Sequence, residues 1–179
     1  EDGGAGVGGG MLQPFLEPRI DDAGLPLADS LICGAIAPMS MAYFTLALRL
    51  PRPFWLVVPA GTPAALRGVP YLGPTFRHGA VLATCWLVGA LAARAFEEPR
   101  YKGEGVLRAT LQAGAFATGL LILVNQVTLT AKLGMVPSLA DMTPDTELLI
   151  AQTNAALMLD VLVEALFMLA WRLYRGALP

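Results

Sequence analysis

Four stretches of this chain, each close to the length of a bilayer crossing, carry few or no charges, and that feature constrains the fold more than any other. The hydrocarbon core of a membrane is about 30 Å thick and takes about 20 helical residues to cross. Ser30 to Leu48 runs for 19 residues without a charge and is closed by Arg49. His78 to Ala93 gives 16 residues between Arg77 and Arg94, extendable through Ala95 and Phe96 if the flanking arginines snorkel. Ala109 to Ala131 gives 23 residues between Arg108 and Lys132, the cleanest of the four. Leu148 to Trp171 is also long enough but holds Asp160 and Glu164. The expected fold is therefore all-α: an integral membrane bundle of four transmembrane helices at about 28–50, 76–97, 106–132 and 146–174. Residues 1–27 form a Gly-rich, acidic, irregular tail in this reading, and 28–179 a single helical domain.

Composition agrees. Hydrophobic residues make up 55% of the 179 and charged residues 15%, against roughly 25% charged in ordinary soluble domains. The net charge of −2 comes without a basic cluster, so no nucleic-acid surface is expected. Arginine outnumbers lysine ten to two in a chain rich in Ala, Gly and Leu, a bias that suits a GC-rich nuclear genome such as some algae have. Cys33 and Cys85 both fall in expected spans, where they read as small buried apolar residues and not as a disulfide framework. Glu1 to Gly10 has no apolar core that would make it a signal peptide. A start at Glu1 fits a processed, imported organellar protein, and equally a boundary with no biological meaning.

The connections differ in character. Residues 1–10 contain six glycines and read as a flexible tail. GAGVGGG resembles a phosphate loop only superficially, because no strand precedes it and no helix follows. Residues 51–76 carry Pro51, Pro53, Pro59, Pro63, Pro70 and Pro74, which exclude a regular helix. The aromatic and aliphatic run Phe54 to Val58 predicts that this loop lies along the membrane interface or on a neighbouring subunit. The loop from Arg94 to Arg108 is hydrophilic and of mixed charge. In the last loop, Thr143 or Asp145 is expected to cap the final helix, with acidic groups favourable in its first turn. Seven Lys/Arg fall on one side of the membrane and five on the other, too even a division to set orientation.

Polar side chains within the spans are the candidate functional residues, since each is costly in lipid without a partner. At 100° per residue, Thr153, Asp160, Glu164, Trp171 and Arg175 form one stripe of the last helix, opposite Met158, Leu162, Leu166, Leu169 and Leu173. Two carboxylates one turn apart would repel, so at least one is expected to be protonated or matched to a cation. Asp160 and Glu164 could then serve as a proton or cation relay, a metal ligand or an oxygen ligand to chlorophyll magnesium; the plainer reading is hydrogen bonding between helices or pairing with a partner's arginine. In the third span Thr110, Gly114, Thr118, Asn125 and Thr128 share a face that suits close helix packing, opposite Phe116, Leu120, Leu123, Val124 and Val127. Asn125 and the off-stripe Gln126 are candidate cofactor ligands. His78, the single histidine, could ligate chlorophyll or haem axially, but hydrogen bonding at the interface is the plainer expectation. Bis-His haem is excluded for want of a second histidine, and a zinc site is not expected from one His and two separated Cys.

The sequence contains no GxSxG, HExxH, Walker A or CxxC motif. The expectation is thus a non-catalytic accessory subunit of a large energy-converting membrane complex, photosynthetic before respiratory, in the thylakoid before the mitochondrial inner membrane. Its partners would be other membrane subunits, lipids and pigments. Chlorophyll or carotenoid is the expected cofactor, with His78, Asn125, Gln126, Asp160 and Glu164 as the binding set and Gln112, Gln152 and Asn154 as further amide ligands. Two alternatives stand beside it: a small transporter or channel subunit using the acidic pair, and, more remotely, a membrane enzyme acting on a lipid or isoprenoid.

Overall fold

The computed structural model describes residues 19–50, 52–57, 69–134 and 143–178. The glycine tail, most of the proline-rich loop and the segment with Pro137 and Asp141 lie outside these residues. The described part is 79% helical and contains no strand. Four long helices, α1 (Gly24–Ala47), α2 (Leu72–Ala92), α4 (Gly105–Leu133) and α5 (Pro144–Gly176), are joined between α2 and α4 by the single turn α3 (Glu98–Tyr101). Two of them, α1 with 24 residues and α4 with 29, are long and apolar enough to cross a membrane.

The ends of these helices follow from local chemistry. Thr143 caps α5 by accepting a hydrogen bond from the Thr146 amide, and Pro144, Asp145 and Glu147 fill the first turn, as expected from the sequence. α4 stops at Gly134, whose left-handed φ of 69° breaks the helix without strain. α1 and α2 end differently: Arg49 and Arg94 take left-handed φ values of 53° and 54°. The amide three residues beyond the end then reaches back, Leu50 to the Thr45 carbonyl at 2.9 Å and Ala95 to the Ala90 carbonyl at 2.8 Å. These are Schellman closures with arginine where glycine is usual.

Several boundaries differ from the sequence reading. α1 begins at Gly24, so residues 24–27 belong to the helical domain and not to the tail. α2 begins at Leu72 and takes in Pro74 and Thr75, which the sequence assigned to the proline loop. Proline is tolerated there because the first-turn amides have no intrahelical partner to lose. The hydrophilic loop is in part packed, since Ala95, Phe96 and Tyr101 are buried and 98–101 are helical.

Within α1, Ile32–Ile36 forms a π turn in which the Ala37 amide bonds to the Ile32 carbonyl. Pro38 explains it. Proline cannot donate to the Gly34 carbonyl four residues back and its ring presses on that carbonyl, so the helix widens. The widened turn lies against α2 at Gly79, where a side chain would run into the Gly34 carbonyl and the Pro38 ring. Gly89 brings α2 close to α4, though less tightly; a Cβ there would stand 2.6 Å from the Ala113 carbonyl oxygen.

Buried positions advance in steps of four: Leu25, Asp29, Cys33, Ala37 and Met41 on α1; Ala109, Ala113, Ala117, Leu121, Asn125 and Leu129 on α4; Ala156, Asp160, Glu164, Met168 and Arg172 on α5. These are the i±4 ridges through which helices interlock. The outward faces are apolar, with Leu27, Tyr43, Val127, Met158, Leu162 and Leu166 all at least 64% exposed. Cys33 and Cys85 are buried free thiols.

Candidate functional site

Two polar centres lie between the helices, one toward each end of the bundle. The first is built on Asp29. Its carboxylate accepts from Trp86 Nε1 at 2.8 Å and from Trp171 Nε1 at 2.9 Å, and it pairs with Arg172. Asp29 is wholly buried and Arg172 2% exposed. The guanidinium also donates to the Ala95 carbonyl at 2.8 Å and lies over the rings of Phe96 and Trp86. One carboxylate thus ties α1, α2 and α5 together. With its acceptors this well occupied, the centre acts as a structural pin.

The second centre surrounds a cavity of about 300 Å³ between α2, α4, α5 and residues 52–57. His78 of α2 places Nε2 3.1 Å from Asp160 Oδ1 of α5. The imidazole lies flat against the Trp55 indole, with ring centroids 4.2 Å apart and planes 8° from parallel. Asn125 of α4 completes the polar wall; Val81, Leu121 and Leu157 are apolar. Arg77 and Lys132 stand at the rim, and the Lys132 ammonium sits 4.4 Å above the Phe54 ring.

This centre is under-satisfied. Six buried side-chain polar atoms lack a hydrogen-bond partner among the described residues, and four of them belong to its walls: Trp55 Nε1, His78 Nε2, Asn125 Nδ2 and Asp160 Oδ1. The His78 to Asp160 approach is close but does not meet hydrogen-bond geometry, which leaves both atoms open to a third group. Buried polar groups are almost always paired, so a cluster of exceptions is where bound water, an ion or a ligand has room to act as partner.

The residues singled out from sequence are only partly brought together. His78, Asn125 and Asp160 share the cavity. Glu164 does not; it faces a separate pocket of about 160 Å³ between α2, α4 and α5, beside the Cys33 thiol. Gln126 points away from the cavity and is exposed. Of the other amides, Gln112 accepts from Arg100 at 3.2 Å, and Gln152 and Asn154 are exposed. The two acids therefore do not form one paired site. Each opens onto its own cavity.

Within the run Phe54 to Val58, Trp55 and Leu56 pack on Met41 and Ala42 of α1 and Trp55 roofs the cavity, Val57 is exposed, and Val58 lies outside the described residues. The buried stripe of α5 ends in Arg172, with Trp171 and Arg175 only half-buried. The Asp29 centre was missed in the sequence because Asp29 lies one residue outside the charge-free run. Its four-residue register with Leu25, Cys33 and Ala37 was the available signal.

In comparisons with protein-family models, with curated proteins and with solved structures, nothing matches this chain. Its function has to be argued from its own geometry.

Proposed function

We propose that the chain is an integral membrane protein of four spans that serves as a non-catalytic accessory subunit of a larger energy-converting complex, with the photosynthetic membrane as the preferred setting. The observation that supports this most is the inverted polarity of the bundle. Asp29, Asn125, Asp160, Glu164 and Arg172 are all buried, while Leu27, Phe116, Leu123, Val127, Met158 and Leu166 are exposed. In water such a surface would associate, because contiguous apolar patches of this kind mark membrane or partner contacts. Facing lipid it is favourable, and the Asp29 and Arg172 pair finds its main partners within the chain.

The subunit role draws on the outer faces and on length. α5 has 33 residues, about 50 Å of helix, against a hydrocarbon thickness of about 30 Å. The surplus turns give neighbouring subunits a grip beyond the lipid, and the smooth apolar faces of α4 and α5 give them, or chlorophyll and carotenoid, ground to pack on within it.

Two measurements test the parts separately. Membranes washed with alkaline carbonate should retain the chain; its release would overturn the membrane assignment. After mild solubilisation and native electrophoresis, the chain should migrate with a large pigment-bearing complex. Migration solely as a small free protein would overturn the subunit role, and co-migration with a colourless respiratory complex would overturn the photosynthetic setting.

A further inference from the structure

We propose that the cavity roofed by Trp55 binds an uncharged lipophile whose head is a hydroxyl-bearing ring, a phenol or quinol, held between Asn125 and Asp160. The unpaired atoms define the head. Asn125 Nδ2 and Trp55 Nε1 are donors in need of an acceptor, and Asp160 Oδ1 is an acceptor in need of a donor. Asn125, Asp160 and Trp55 are each at most 5% exposed, so these needs are not met by bulk water. A hydroxyl answers both at once: its oxygen accepts from Asn125 or Trp55 while its hydrogen is donated to Asp160. A ketone or ether would leave Asp160 unpaired, and an unmet buried acceptor costs about 1–3 kcal/mol.

Charge restricts the head further. An anion would have to settle against Asp160, and a cation would have to pass Arg77 and Lys132 at the rim. A neutral head meets neither obstacle. Size and lining favour a ring: a cavity of about 150 Å³ accommodates benzene, and the 300 Å³ here holds one ring and the start of a chain, with Phe54 and Trp55 as aromatic walls. Val124 on the outer lip is 42% exposed toward the surface that the proposed function turns to lipid. The ligand would then arrive from the bilayer, and to that extent the inference rests on the membrane assignment.

The test uses the full chain reconstituted in phosphatidylcholine nanodiscs, with flotation checked first. A chain that does not float refutes the membrane assignment and not the site. Isothermal titration then compares 4-decylphenol with 4-decylanisole, the same molecule without the hydroxyl hydrogen, against protein-free nanodiscs as blank. The phenol should bind the wild-type chain saturably and at least tenfold more tightly than the anisole, a comparison that needs no variant. Asn125→Leu should weaken phenol binding at least tenfold. Equal binding of the two probes, binding indistinguishable from the blank, or full phenol affinity in Asn125→Leu would each overturn the proposal.

Discussion

At the scale of single residues, the buried Asp29 and Arg172 pair is the most exacting part of the molecule. A buried ion pair stabilises a fold modestly when complete, because desolvation offsets most of the attraction, but losing one partner leaves a bare charge. Asp29→Leu should therefore destabilise the bundle by about 3–5 kcal/mol, read as a lowered thermal midpoint in detergent. The double change Asp29→Leu with Arg172→Met should recover much of that loss, since neither charge is then left behind. If the double variant is as unstable as the single, the indole bonds from Trp86 and Trp171 to Asp29, and not the charge balance, hold the site. The sequence made the presence of buried charge legible but not this pairing. A strict 100° stripe leads to Trp171 and Arg175, whereas the four-residue ridge along which α5 packs leads to Arg172.

At the scale of elements, the crossing of α1 and α2 depends on the absence of a side chain at Gly79. Its Cα lies against the π turn that Pro38 imposes, and Gly34 on the facing helix is equally bare. Gly79→Leu should separate the helices at a cost of at least about 3 kcal/mol, the upper end of overpacking penalties. Gly119 on α4 has open space around its missing Cβ. Gly119→Ala should leave the fold intact and raise stability by up to about 1 kcal/mol, the ordinary helix-interior preference. Thermal unfolding of the two variants side by side checks both, and equal effects would mean that the close approach at Gly79 carries no special weight. The number and rough placement of the helices were legible in the charge-free runs. Their ends were not, because arginine stands in for glycine at the caps of α1 and α2 and a proline enters the first turn of α2.

At the scale of the whole molecule, the start of the described chain is tied to its end. Asp22 pairs with Arg175 at 2.9 Å and also accepts from the Gly24 amide, while Asp21 accepts from the Glu98 amide at 2.7 Å and pairs with Arg19. The Arg175 guanidinium, followed by the Gly24 amide, holds the Asp22 carboxyl below its ordinary range, and the Glu98 amide, followed by Arg19, does the same for Asp21. A carboxyl depressed in the folded state contributes stability above its unfolded value and loses it as the pH falls through the folded one. Protection of the α1 start and α5 end in hydrogen exchange should therefore decline below about pH 4, modestly, because both pairs are screened by solvent. Asp22→Asn should flatten that decline, and an unchanged profile would show that the junction is held by packing alone.

The order of apolar runs determined by itself that this chain forms long helices with lipid-compatible faces, because the length and period of hydrophobic residues act locally. The cap of the last helix was narrowed in the same way to Thr143 or Asp145, and the structure has Thr143. Tertiary structure alone decided which polar groups meet. His78 and Asp160 are 82 positions apart and Trp55 lies in a loop, so their gathering around one cavity depends on how α2, α4 and α5 interlock. Helix crossings are set by ridges, glycine approaches and a π turn, and they rotate each face by more than a stripe drawn on a single helix can reveal.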